Sequence, residues 1–423
     1  MRPQNNIDRL VSYSLNGGLP LLFFIFSLLA GLIALNFTAR EEEPQIVVPM
    51  IDVLVSSPGL SAQQTERQVT IPLEKLLAQI PGVEHVYSSS DAAQTAVTLR
   101  FHVGENRELA ILNTYNKLYS NQDKMPAVVD NWLVRPVEVD DVAIVMLGLW
   151  SDDEQRYSDY ELRRLADELS NQLQSIDNTS EVNIVGGRTR SIQVLIKAES
   201  LAARQSTAMD IVHSLQQSNR LKSNGRWTLN NQAILLESGD VIRDIDTLAN
   251  TVINVIDGNA VLLKDVAEII DGPREADHYS WLDLAPQHEA FTHPRSSKNL
   301  PLVTISIAKQ AGSNAVKVAE DVHKVIAKLK KTLLPPDIHI EVLRDYGATA
   351  NEKVDNLTTS LAFAVFTVVI FIAVFLGWRP ALVVGLAVPI SYGVTLMLDM
   401  AFGYTINRVT LFALILSLGL LVD

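Results

Sequence analysis

Four long apolar runs interrupt a chain that otherwise alternates short amphipathic helices with strands. Leu19–Leu35 holds 17 residues without a charge; Leu361–Gly377 and Ala381–Phe402 are separated only by Trp378, Arg379 and Pro380; a fourth run starts near Val409. Such runs predict membrane helices, because a bilayer core about 30 Å thick takes about 20 residues at 1.5 Å each. The second and third form a tight helical hairpin. Pro389, inside the third, is tolerated where neighbouring helices satisfy the freed carbonyl. Counted to Val422, the fourth rises only about 21 Å, so the sequence is expected to stop inside a membrane helix. The first run exceeds a typical signal core of about 7–15 residues, and no small-x-small cleavage site precedes Arg40; it reads as an uncleaved anchor.

Arg2, Arg9 and Arg379 fall on one side of these runs, whereas the first run is followed by Glu41, Glu42 and Glu43. Positive charge marks the cytoplasmic side, which puts residues 40 to 356 outside the cytoplasm; Arg408 runs against the rule. A polar region of this size must hold more than one packed domain. Its first part reads as strand Ile46–Val55, helix Ser61–Gln79, strands Val83–Ser88 and Ala96–Phe101, helix Arg107–Lys124 stopped by Pro126, and a strand near Trp132–Val139. That β-α-β-β-α-β order is the ferredoxin-like unit.

A second copy starts with strand Ala143–Trp150, helix Ser158–Leu173 and strand Glu181–Val185. Strand Leu302–Ala308, helix Asn314–Leu333 and strand Ile338–Leu343 supply its other half, so a module over residues 188 to 277 is read as an insertion. Helix 314 to 333 places Val318, Val322, Val325, Ile326, Leu329 and Leu333 on one face and Lys324, Lys328, Lys330 and Lys331 on the rest, a solvated face.

Composition adjusts this reading only slightly. With 48% hydrophobic and 20% charged residues the chain folds, and its formal charge of −13 argues against a general nucleic-acid surface. It has no cysteine, which excludes disulfides, Cys-ligated zinc and thiol nucleophiles. No Walker loop, GxGxxG turn, HExxH or GxSxG occurs, so no enzyme, metal centre or cofactor is expected, and energy must come from an ion gradient or another subunit.

Asp423, at the end of the apolar run Leu411–Val422, is the strongest candidate for chemistry. A carboxylate at membrane depth must pair, face water or take up a proton, and a group poised between those states suits proton coupling. Asp399 lies near the turn Gly403–Arg408 and reads as interfacial. Met397 and Met400 read as packing, and His278, His288 and His293 with Asp277, Asp283 and Glu289 match metal ligands in number but not in spacing.

The stretch Gly403-Tyr404-Thr405-Ile406-Asn407, then Thr410, then Gly419-Leu420-Leu421-Val422-Asp423 resembles the fourth-helix motif of the resistance-nodulation-division (RND) superfamily, the inner-membrane permeases of tripartite efflux systems. Arg40 to Pro44, Pro58-Gly59, and Trp378-Arg379-Pro380 ahead of Ala387-Val388-Pro389 support it, and the likeness covers essentially the whole chain. The resemblance implies a transmembrane helical bundle with α+β periplasmic porter subdomains and an inserted docking subdomain. Residues 1–39 would be the cytoplasmic start and first membrane helix, 40–138 the first porter subdomain, 139–187 with 278–344 the second, 188–277 the docking subdomain, and 345–423 membrane helices two, three and part of four.

It also implies a proton antiporter in the bacterial inner membrane, a homotrimer working with a periplasmic adaptor and an outer-membrane channel on amphiphilic small molecules. Asp423 would be the first of the family's two adjacent relay aspartates, supported by Asn407, Thr410 and Gly419, and the chain an N-terminal half. Family members that bind bulky aromatic drugs line a pocket with Phe and Tyr; the corresponding positions are Ala143, Val185 and Arg344, which leaves substrate choice open. The insert reads as short around Asn224–Gln232, where the family often carries a longer arm. A heavy-metal cation exporter of the same superfamily, or a protein-export accessory protein, is the alternative.

Overall fold

The structure, a computed structural model, describes residues 19–41, 44, 48–137, 141–153, 155–229, 232–239, 241–285 and 297–422. Strand β1 (Met50–Ser56), helix α2 (residues 62–77), β2 (Val83–Asp91), β3 (Gln94–Phe101), helix α3 (Arg107–Tyr119) and β4 (Asn131–Val137) make the first unit; α1 is the preceding apolar helix Leu19–Phe37. Alternate residues Ile51, Val53 and Val55 of β1, and Val97, Leu99 and Phe101 of β3, are buried on one face under Val69, Leu73 and Leu77 of α2 and Ala110 and Leu118 of α3. The sheet order is β2-β3-β1-β4 with every pair antiparallel. Two crossovers explain it: each helix returns the chain parallel to its first strand with a gap between, and the other crossover's strand fills that gap.

Helix α2 widens into a π-turn over Glu66–Thr70 just before Pro72. Proline lacks the N–H and its ring crowds the carbonyl four residues back; the wider turn lets the helix pass it unbroken. Asn106 caps α3, its Oδ1 accepting the Leu109 N–H at 2.9 Å.

The second unit repeats that order strand for strand. Strand β5 (Val145–Ser151), helix α4 (Asp159–Gln174) and β6 (Thr179–Val185) come first; β15 (Val303–Lys309), helix α9 (Ala315–Thr332) and β16 (Ile338–Asp345) complete it, in the order β16-β5-β15-β6. Val145, Leu147 and Leu149 pack with Val303, Ile305 and Ile307 beneath Leu162, Leu169, Val318 and Val322. Strand β5 is buried along most of both faces, since Trp150 is covered on the outer side by Leu300 and Leu302. Gly148 permits this: a Cβ there would stand 2.8 Å from Leu302 Cδ1.

Between β6 and β15 lie β7 (Arg190–Ile196), α5 (Ala198–Ala203), α6 (Ala208–Ser218), β8 (Lys222–Leu229), β9 (Gln232–Ser238), α7 (Ile245–Ala249), β10 (Val252–Ile256), β11 (Asn259–Leu262), α8 (Leu263–Val266), β12 (Ala267–Pro273), β13 (Trp281–Leu284) and β14 (Ser297–Pro301). The part from β7 to β12 has its own core around Leu201, Ile211, Leu248, Leu263 and Val266. Strands β8 and β9 form a ribbon exposed on both faces, with Trp227, Leu229, Ile234, Leu235 and Leu236 uncovered. Of the stretch that reads as short in sequence, residues 224–229 belong to β8 and Gln232 opens β9.

At the base stand α1, α10 (Tyr346–Phe375), α11 (Trp378–Ala401) and α12 (Arg408–Val422); α10 and α11 are long and apolar enough to cross a membrane, and α1 and α12 are shorter apolar helices. Hydropathy locates α10 from residue 361, but the helix starts at Tyr346, directly after β16, with Asp345 Oδ1 accepting the Ala348 N–H at 2.8 Å. Its first turns are polar, so an apolar run marks only part of the helix. Helices α1 and α11 cross backbone to backbone: a Cβ on Gly31 would lie 2.4 Å from Gly393 Cα, and one on Gly393 2.3 Å from the Ser27 carbonyl. Small residues at a crossing are the usual device for close helix packing in lipid.

Candidate functional site at the base of the second unit

Residues 39–41, just past the end of α1, run beside the α11–α12 connection. Ile406 N–H donates to Ala39 O at 2.9 Å and Glu41 N–H to Ile406 O at 3.1 Å. Arg40 Nη1 reaches Asn351 Oδ1 on α10 at 2.9 Å, and its carbonyl accepts the Ala315 N–H of α9 at 3.1 Å. The Glu41 carboxylate turns inward, where Lys309 Nζ at the end of β15 meets Oε1 at 2.8 Å and Thr405 Oγ1 donates to Oε2 at 3.3 Å. The Lys309 and Glu41 side chains are only 7% and 4% exposed. Charges this far from water persist only when paired and hydrogen-bonded.

Asn407 and Thr410 sit one step further along. Asn407 Oδ1 accepts the N–H groups of Val409 and Thr410 at 2.9 and 3.0 Å, the Asn407 N–H donates to Thr410 Oγ1 at 2.9 Å, and Nδ2 donates to Thr405 Oγ1 at 3.1 Å. This is an N-cap that satisfies the first free N–H groups of α12. Gly419 lies in the last turns of α12, and Asp423 lies outside the described residues.

The three sequence-predicted pocket positions do not converge. Val185 ends β6, 56% exposed on the outer face of the second sheet. Arg344, on β16 at the opposite edge, pairs with Met146 of β5 and stacks its guanidinium on the Tyr346 ring 3.8 Å from the centroid. Three strand spacings, about 14 Å, separate those edges. Ala143 precedes β5, half-buried. Asp399 is three residues from the C-cap of α11, and its carbonyl accepts the Tyr404 N–H at 2.8 Å. His278 Nδ1 bonds Asp277 Oδ1 at 2.5 Å, while Asp283 Oδ1 accepts the Asn299 N–H; His288, Glu289 and His293 lie outside the described residues. Among the described residues no group of three or more His, Cys, Asp or Glu could hold a metal ion.

Sequence reasoning used Glu41 only as an orientation charge and passed over Lys309. The signal was there: in β15, Val303, Ile305 and Ile307 are buried every second residue, and Lys309 continues that inward parity at the end of a strand that is otherwise free of charge.

A base of apolar helices, with two βαββαβ units between the first two helices and the second unit split by an insert, defines a membrane permease of the RND type. The model of the AcrB/AcrD/AcrF family matches residues 19–423, and the chain belongs to that family. It is accordingly an RND efflux-pump permease of the inner membrane, a transporter and not an enzyme.

Proposed function

We propose that this chain drives export of amphiphilic small molecules, drugs, biocides or detergents, by proton antiport, with Asp423 as a proton carrier. The observation that carries the reading is the apolar helix α12, polar-capped at Asn407 and running without a charge from Val409 through Val422 into that carboxylate. An ionised carboxylate at membrane depth costs several kcal/mol, so gain and loss of a proton changes which helix arrangement is favoured.

The two βαββαβ units then serve as periplasmic porter subdomains over 40–138 and over 139–187 with 278–344, and the insert 188–277 as the docking subdomain. The outer face of the second sheet, which carries Val185 and Arg344 with Ala143 at its entry, becomes a substrate-facing wall. The exposed β8–β9 ribbon supports assembly as a homotrimer, since a two-faced apolar arm needs a partner surface. A periplasmic adaptor and an outer-membrane channel complete the path.

The test is substrate accumulation in cells making the intact protein with Asp423→Asn, which keeps size and removes titration. Export is expected to fall at least tenfold. Export at the parental rate that stays sensitive to an uncoupler would eliminate Asp423 as the carrier.

A further inference from the structure

We infer that Glu41 is a positioning residue that couples movement of α12 to the second sheet through Lys309; the inference rests on the proton-driven reading above. The carboxylate is gripped from two sides by parts of the molecule that must move together. On one side Lys309 Nζ holds Oε1 at 2.8 Å, and Lys309 closes β15, an inner strand paired with both β5 and β6. On the other side Thr405 Oγ1 holds Oε2 at 3.3 Å.

Thr405 passes the contact on. Its carbonyl accepts from Asn407 Nδ2 and Thr410 Oγ1, both at 3.2 Å, and Asn407 caps α12. An axial shift of α12 therefore changes either the Thr405 to Glu41 contact or the Glu41 to Lys309 contact. Asp423 follows in sequence directly after Val422, the last described residue of α12, whose 15 residues rise about 22 Å from the Asn407 cap. A helix is stiff over that length, so a protonation event at one end is felt at the cap. The backbone bonds of Ala39 and Glu41 to Ile406 keep residues 39–41 in step with the α11–α12 connection, and the Ala315 N–H to Arg40 carbonyl bond joins α9 to the same point.

The burial of the pair favours a role in register over one in strength. A buried ion pair adds little over apolar side chains of equal volume, yet removing one partner leaves the other charge stranded in a poor dielectric. Such a contact resists intermediate positions. The first sheet meets the base at no comparable buried ion pair among the described residues. The second unit, not the first, is thus the one that follows α12.

The experiment uses the intact protein in proteoliposomes under a pH difference, with a fluorescent amphiphilic amine as substrate and an entrapped pH dye. In the parent protein, substrate is expected to raise proton flux. Glu41→Gln, which keeps size and a partner for Thr405, should lower export at least tenfold while proton flux persists and no longer responds to substrate. Lys309→Met should do the same, and Lys309→Arg, which keeps the charge, should stay within about threefold of the parent.

Persisting proton flux also shows that a variant is folded. Parental export by Glu41→Gln overturns the inference. So does a joint loss of export and proton flux in both Glu41→Gln and Lys309→Arg, which would mark a purely structural role. A parent whose export ignores the pH difference overturns the proton-driven reading itself, and that failure is visible without any variant.

Discussion

The two four-stranded sheets share one strand order but are tied to the rest of the molecule in opposite ways. The first unit is contiguous, residues 50 to 137, and closes its core on itself; the outer face of its sheet is left open as a groove of about 420 Å³ whose lining includes Leu54, Ser89, Ala96 and Leu133. The second is split by the insert and attached to the helical base by several contacts among the described residues: β16 runs into α10, α9 packs on α10 where Gly347 meets Ala319, Ala315 at the start of α9 bonds Arg40, and Lys309 at the end of β15 bonds Glu41. One topology thus occurs both as a unit closed on itself and as a unit fastened to the helical base. What separates them is how their ends meet the helices, not the arrangement of strands.

Matched core truncations should break the comparison most visibly. Leu99 and Leu147 are both fully buried in inner strands, and Leu→Ala at such sites costs about 2–5 kcal/mol. Leu99→Ala is expected to lower amide protection within residues 50 to 137 only. Leu147→Ala should also lower it over β16 and the first turn of α10, because Leu147 pairs with Val342 on the strand that continues into that helix. Hydrogen exchange with peptide resolution decides between them. Loss confined to residues 145 to 345 in Leu147→Ala, with the start of α10 unchanged, would show the second unit to be as free-standing as the first.

That asymmetry was only partly legible in the sequence. Both strand-helix alternations could be read because period-two and period-3.6 patterns are local, and the split second unit followed from counting halves. Attachment to the base is not local. Glu41 and Lys309 are 268 residues apart, and no periodicity brings them together; only the inward parity of Lys309 hints at a partner. The early start of α10 escaped because hydropathy ends where the helix leaves its apolar stretch. The arm of β8 and β9 escaped because a ribbon exposed on both faces has no buried stripe to impose alternation. A motif marks Asn407 and Thr410, yet their geometry as a cap rests on hydrogen bonds that the motif does not display.

Removing the insert should sharpen the comparison by making the second unit contiguous like the first. Its ends already meet: Arg274 N–H donates to Thr189 O at 2.9 Å, and β7 and β12 leave the neck as a pair. Replacing residues 190 to 273 with a linker of about four residues is expected to change the stability of the second unit by less than about 2 kcal/mol. Shortening a closed loop alters its closure entropy only slowly, and the insert has a core of its own. Thermal melting and protease resistance of the shortened protein check it. Collapse of the second sheet would mean that the insert is a structural part of that unit and not a guest.

The smallest effect lies at that neck. Gly186 and Gly187 both have positive φ, 87° and 70°, and a Cβ at either would press on backbone carbonyls, Leu302 O at 2.8 Å and Asp159 O at 2.7 Å. The turn they make delivers Arg188 onto Asp159, the first residue of α4, with Nη2 to Oδ1 at 2.8 Å and Nε to Oδ2 at 2.9 Å. Those side-chain hydrogen bonds are the main reason that the Asp159 carboxyl titrates below the usual carboxylate range, and they raise Arg188 in turn. A lowered carboxyl pKa stabilises the fold fully above the unfolded value, about 3.9, and the benefit disappears as pH falls through the folded value. With both side chains about a third exposed, solvent limits the gain to about 1 kcal/mol or less. Asp159→Asn should therefore lower the melting temperature of the second unit slightly and equally at pH 7 and pH 5. The gap should close only below about pH 4. A gap that narrows between pH 7 and pH 5 would place the controlling titration on a histidine instead, and would detach the neck pair from the stability of the split unit.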